Sequence, residues 1–177
     1  MKEVLNSAAA LKCLDNRIVG ADLYRQISDY TSSAYKETDK FWNLEFDVII
    51  TIMRAALPMG MTLYQVTNKK IGFVCARRQK DLSIDISYKD IPPFKKALIV
   101  DGWIASGNTI VAVAKELGIQ EISVFGLIAS KQALELIKPT NFIIGHLADK
   151  MTDKHYLIPP DPFKPRDGGN DLFINRN

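Results

Sequence analysis

Asp101 stands four residues ahead of a run of small and polar residues, Ala105, Ser106, Gly107, Asn108 and Thr109. The run lies between an apolar segment (Ala97, Leu98, Ile99, Val100) and a stretch with helical spacing, Ile110, Val113, Ala114 and Leu117. Strand, tight polar loop and helix in that order present consecutive backbone N–H groups and the positive end of a helix dipole to one spot. Such a spot attracts anions, phosphate above all. Asp101 is expected where the strand ends, at the carboxyl edge where open α/β sheets bind ligands. A carboxylate is a natural paired acceptor for neighbouring hydroxyls. A ligand carrying both a phosphate and a hydroxylated sugar would use this arrangement. The same Ser-Gly-Asn-Thr turn also fits a plain N-cap cluster. It is neither a Walker loop nor a Gly-x-Gly-x-x-Gly fingerprint.

The elements that must position these residues follow from apolar patterning. The sequence predicts a short helix over 4–14, rich in alanine, and a second over 21–38 with Leu23, Ile27, Tyr30 and Ala34 on one face. Buried strands are expected over 47–53, 71–76, 97–100, 121–128 and 141–146. Apolar helices follow the first of them, through Met61, Leu63, Tyr64 and Val66, and cover 131–137. Residues 79–93 alternate polar and apolar side chains and close with Pro92-Pro93, which reads as an exposed hairpin or a flap. The β-α alternation predicts an α/β fold: an open, mostly parallel twisted sheet with helices on both faces. After Ala148 prolines crowd the chain, and Leu172 and Phe173 favour a tail that folds back as a hood.

Bulk properties bound the rest. With 177 residues, 47% apolar and 24% charged, one domain over 1–177 is expected, made of N-terminal helices (1–40), an α/β core (46–148) and a C-terminal segment (149–177). A net charge of +3 makes no case for nucleic acid as a partner. Cys13 and Cys75 form no metal or disulfide pattern, which points to a reducing compartment. No apolar run reaches membrane-spanning length and the N-terminus lacks a leader pattern, so a cytoplasmic protein without membrane contact is expected. The stripe on the N-terminal helices suggests a homodimer or higher homo-oligomer. His146 and His155 have no evident partner, and Trp42 and Trp103 read as packing.

With these pieces in place, the segment from Val100 to Thr109 (VDGWIASGNT) resembles the VDPMLATGGS/T motif of the type I phosphoribosyltransferases, in the uracil phosphoribosyltransferase branch. Residues 52–57 (IMRAAL) resemble the branch's ILRAGL, and Ile71 to Arg78 its IGHIGLYR. Residues 156–159 (YLIP) and 167–173 (DGGNDLF) resemble YIVP and GDAGDRLF. The likeness implies transfer of a phosphoribosyl group from phosphoribosyl pyrophosphate to a nucleobase, with uracil first among acceptors, releasing pyrophosphate in nucleotide salvage.

It also implies roles by position. Ala105, Ser106, Gly107, Asn108 and Thr109 would hold the 5′-phosphate and Asp101 the ribose diol. Arg54, with the amide of Ala55 and a strained peptide in that loop, would grip the diphosphate together with Arg78. Asp101 and Arg78 are thus the catalytic pair. Mg2+ would bridge the substrate's oxygens, with Asp167 in contact through water. Tyr156, Leu157 and Ile158 would meet the base, and the 79–93 flap would exclude water. Pro160 stands where the family carries glycine, and about four extra residues fall within 161–166, so the base end departs from the pattern while the phosphoribosyl end keeps it. Another pyrimidine, a purine or an unusual acceptor stays open there. The alternative class is a non-catalytic regulatory protein that binds nucleotide or phosphoribosyl pyrophosphate without turnover. An RNA-binding regulator would need a basic patch, and the lysines are scattered.

Overall fold

The computed structural model describes residues 2–15, 17–37, 44–79, 81–152 and 157–158. A seven-stranded sheet forms the centre: β1 (Lys2–Val4), β2 (Val48–Met53), β3 (Lys70–Arg78), β4 (Ile84–Asp90), β5 (Ala97–Ile104), β6 (Ser123–Ser130) and β7 (Asn141–Ala148), in the order β1-β7-β6-β5-β2-β3-β4. Every neighbouring pair is parallel except β3 and β4. Helices α1 (Ala8–Lys12), α2 (Gly20–Glu37), α3 (Leu57–Thr67), α4 (Asn108–Glu116) and α5 (Lys131–Ile137) cover it, and a small hairpin pairs β8 (Lys150–Met151) with β9 (Leu157–Ile158).

Alternation along the strands divides the core into two layers. Ile49, Leu98, Val100, Phe125 and Ile143 pack under α2 and α3, with Leu23, Ile27, Tyr30, Met59 and Leu63. Their neighbours Ile50, Ile99, Val124 and Ile144 face α4 and α5, against Ile110, Val113, Ala133 and Ile137. Strands buried on both faces read as continuous apolar runs for this reason. Each fully buried aliphatic side chain contributes about 1.5–3 kcal/mol over an exposed one.

Local signals set the ends. Pro58 opens α3, and Asn68, at φ 54°, closes it in the left-handed region. Ser7 and Ser130 cap α1 and α5 through their hydroxyls. The Asp47 carboxylate accepts from the amides of Lys95 (2.9 Å) and Lys96 (3.0 Å), which ties the start of β2 to the start of β5. These donors, Lys95 first, hold the Asp47 carboxyl below its ordinary range.

The structure corrects several boundaries. The first helix, expected from residue 4, starts at Ala8 and ends at Lys12, and Val4 belongs to an edge strand whose backbone pairs with β7. β5 runs on to Ile104, so Asp101 lies within the strand and not at its end; β6 and β7 likewise extend to Ser130 and Ala148 alongside it. The 79–93 segment is the hairpin of the two options, with β4 extending the sheet beside β3. Most of the C-terminal segment lies outside the described residues.

α2 is anchored by Tyr30, whose ring stacks on Phe125 (centroids 6.0 Å apart) and whose hydroxyl donates to the Gly126 carbonyl at 3.2 Å. A Cβ on Gly145 would lie 2.5 Å from that hydroxyl oxygen and 2.7 Å from the Leu127 carbonyl oxygen. Gly145→Ala is therefore expected to destabilise the fold by about 1–3 kcal/mol through overpacking. Urea unfolding would register this as a lower midpoint with an unchanged slope, and Tyr30→Phe in the same chain should recover part of the loss.

Candidate active site

The chain reverses its winding between β2 and β5. From β2 it goes to β3 and β4 on one side of the sheet, and from β5 to β6 and β7 on the other. Connections leaving the carboxyl ends of two such strands diverge to opposite faces and leave a crevice, where open α/β sheets bind ligands. Arg54 and Ala55 follow β2 at this edge, and the Met53–Arg54 peptide is cis. Ala105 to Thr109 follow β5. Arg78 ends β3, just past a register shift between Cys75 and Ala76 that re-aims the last residues of the strand.

Several sequence-predicted residues come together here. Gly102 lets the loop after β2 approach: a Cβ on it would lie 3.1 Å from the Ala55 carbonyl oxygen. The Arg78 guanidinium donates to Ser106 Oγ at 3.0 Å, joining the end of β3 to the loop after β5. Ser106 Oγ also accepts from the Asn108 amide at 3.4 Å. Gly107, at φ +83°, caps α4 in the left-handed region, and a Cβ there would press on Ile137 and the Ala133 carbonyl. Arg54 and Asn108 are exposed, and Thr109 is half-buried. Helix α4 points its first turn, with the amides of the loop, at the crevice.

Asp101 is buried, at 9% exposure. Burial pushes its carboxyl up to about 7, opposed by the amides of Trp103 and Gly102 and by the charge of Arg78. The arrangement offers amide and hydroxyl donors for one anion, a guanidinium for another, and a carboxyl acceptor between them.

Sequence reasoning missed Ser130, whose hydroxyl donates to the Ala105 carbonyl (2.6 Å) while accepting from the Ala133 amide (2.8 Å). One side chain thus caps α5 and holds the loop; a serine just ahead of a helical stretch is the signal that was available. Leu157 is buried in a third apolar cluster with Leu14, Ile128 and Ala148, against which Trp103 and Ala105 pack, and Ile158 follows it in β9. Tyr156 and Asp167 lie outside the described residues. A cavity of about 490 Å³ at the opposite, amino-terminal edge, beside Lys96, Ile119 and Asn141, contains none of these groups.

Residues 23–160 match the family model described as uracil phosphoribosyltransferase. The chain belongs to the uracil phosphoribosyltransferase family. It is 28% identical over 126 residues to a uracil phosphoribosyltransferase of Thermococcus gammatolerans, covering 63% of this chain and 56% of the relative. The chain thus spans little more than half the length of the curated relatives it matches. In fold it is similar to the AQ2163 protein of Aquifex aeolicus, with a TM-score of 0.82 and 21% identity over 98% of both chains. A purine phosphoribosyltransferase of Pyrococcus horikoshii aligns with a TM-score of 0.54 and 20% identity, covering 68% of this chain and 83% of that one.

The Asp101 carboxyl predicts a pH dependence. The unfolded chain loses this proton near the ordinary value of 3.8, the folded chain near 7. Between those values the folded state binds the extra proton, so Asp101 makes stability fall as pH rises from about 4 to about 7. Asp101→Asn should therefore melt higher than the parent at pH 8, by on the order of 1.4 kcal/mol for each unit of separation, with the difference shrinking toward pH 4. Thermal melts across that range decide it; a variant no more stable at pH 8 would contradict the raised carboxyl.

Proposed function

We propose that this protein transfers a phosphoribosyl group from phosphoribosyl pyrophosphate to a ring nitrogen of a nucleobase, uracil first among acceptors, with release of pyrophosphate. The observation that carries this reading is the meeting of Arg78 with Ser106 beside the buried Asp101, at the point where β2 and β5 diverge. Family membership supports the phosphoribosyl chemistry.

In this reading the amides and hydroxyls of Ala105 to Thr109 hold the 5′-phosphate at the start of α4. Asp101 accepts from the ribose 2′- and 3′-hydroxyls. Arg54, the Ala55 amide and Arg78 take the diphosphate. As the C1–O bond breaks, its electron pair leaves with the diphosphate and positive charge builds on the ribose. Fixed cations at one end and a carboxylate at the other stabilise that separation without reorganising. The base nitrogen then bonds to C1 and its proton passes to water or to the departing diphosphate.

The described residues hold no cluster of three or more His, Cys, Asp or Glu side chains. Mg2+ would enter with the substrate and supply further charge neutralisation, with Asp167, outside the described residues, as the side chain that would meet it through water. The 79–93 hairpin, which carries the turn after Arg78, would limit water access, and Leu157 and Ile158 would flank the base.

Two experiments test this. Purified protein incubated with phosphoribosyl pyrophosphate, Mg2+ and a panel of bases should release pyrophosphate, and fastest with uracil. Arg78→Ala should raise the KM for phosphoribosyl pyrophosphate about 10- to 100-fold. Saturable binding with no pyrophosphate from any base would favour the non-catalytic alternative. Separately, hydroxyls donating to Asp101 favour its ionised form. Calorimetry at pH 6 in two buffers should then find more protons released on substrate binding by the parent than by Asp101→Asn.

A further inference from the structure

Two buried polar atoms near the crevice have no hydrogen-bond partner among the described residues: Trp103 Nε1 and His146 Nδ1. Buried indole N–H groups ordinarily find an acceptor, and orphaned buried atoms call for a reason. These two share a place. Trp103 on β5 is in register with Ile128 on β6, and Ile128 with His146 on β7. Strands lie about 4.8 Å apart, so the two Cα atoms are about 10 Å apart with Ile128 between them. Trp103 packs against the cluster of Leu14, Ile128, Ala148 and Leu157. His146 precedes Ala148 by two residues on the same strand, which puts it on that face.

This corner adjoins the proposed phosphoribosyl site. Trp103 is two residues beyond Asp101, and Ala105, the first residue of the phosphate loop, packs on the same cluster. An indole N–H can only donate, so its missing partner is an acceptor. Burial lowers the His146 titration below its ordinary value, against the opposing pull of Asp149. The ring is therefore neutral at pH 7 and one of its nitrogens offers a lone pair.

We propose that Trp103 and His146 read the acceptor base: the indole N–H donates to a ring carbonyl, and His146 Nδ1 accepts from the neighbouring ring N–H. The occupant is an oxo-nucleobase presenting a carbonyl beside an N–H. The inference rests on the phosphoribosyltransferase reading, and adds the side chains that select the base.

The chain has two tryptophans, so its indole N–H signals are readily told apart in a 15N-labelled sample, with Trp103→Phe assigning one. Uridine 5′-monophosphate should move the Trp103 signal, and ribose 5-phosphate should move the loop amides while leaving that signal in place. In turnover, Trp103→Phe should raise the KM for uracil about 3- to 10-fold with that for phosphoribosyl pyrophosphate within twofold. His146→Leu should do the same and His146→Asn, which keeps a polar atom near Nδ1, should restore it. 3-Methyluracil, lacking the N–H, should compete more weakly than uracil against the parent and equally against His146→Leu. Uridine 5′-monophosphate shifting the loop amides but not the indole would overturn this proposal and leave the phosphoribosyl reading standing. No shift from either ligand would overturn both.

Discussion

The structure depends on the adjacency of two strands that are not consecutive in the chain. β2 and β5 pair in parallel from Val48–Ala97 to Thr51–Val100, and the Asp47 carboxylate fastens their starts through the Lys95 and Lys96 amides. Because α3 leaves β2 for one face and α4 leaves β5 for the other, the two loops part above the pair. The crevice is a consequence of winding direction, not of any one side chain. Its depth is set by how closely the loops approach, and Gly102 fixes that on one side by admitting the Ala55 carbonyl. Asp101, one residue earlier in the same strand, is buried, and its raised titration follows from that burial.

Within the crevice, the groups suited to a charged ligand are already engaged with one another. Arg78 donates to Ser106 Oγ, and its charge faces Asp101. Ser106 Oγ accepts from both Arg78 and the Asn108 amide, which leaves its own proton free to donate. A guanidinium held by a neutral hydroxyl and a partly protonated carboxyl is less satisfied than one held by a phosphate, since charge-assisted bonds are the stronger. In the proposed function an arriving anion would replace weak contacts with strong ones, and the loop would not need to refold. Ser130 and Gly107 keep the loop's shape from beneath through the Ala105 carbonyl and the left-handed cap of α4.

Where the sequence pattern was dense, it was legible. The apolar run of β2 and the four-, three- and four-residue steps of α2 are repeated local signals, and they appear close to their expected bounds. Lys2–Val4 carries no such signal: three residues at an edge become a strand only because β7 offers a free backbone. β5 outran its apolar segment because Asp101 and Gly102 stay paired to β6 despite their polarity and small size. The proximity of Arg78 to Ser106 was carried by the family likeness, for no local pattern reports a contact across 28 residues. Ser130 was missed since its second bond, to Ala105, is tertiary. Trp103 was read as packing, and it does pack; only coordinates reveal an indole nitrogen without an acceptor.

The two ends of the crevice are made of different material, and this decides where variation is cheap. The end proposed to hold the anion is mostly backbone, with amides of a loop whose shape is held by Gly107, Ser130 and the start of α4, so side-chain replacement changes it little unless the loop itself moves. The opposite corner, at the ends of β5, β6 and β7, is made of side chains standing on a fixed sheet. Replacing one there changes donors and acceptors while leaving the strand pairing alone. The motif that the 100–109 segment resembles has methionine where Trp103 stands; an indole in that place adds one donor and no acceptor. Pro160, standing for a glycine, removes a backbone donor from the segment that would meet the base. A donor lost from backbone and a donor gained on β5 are changes of one chemical kind, and both bear on what the acceptor's carbonyl can find.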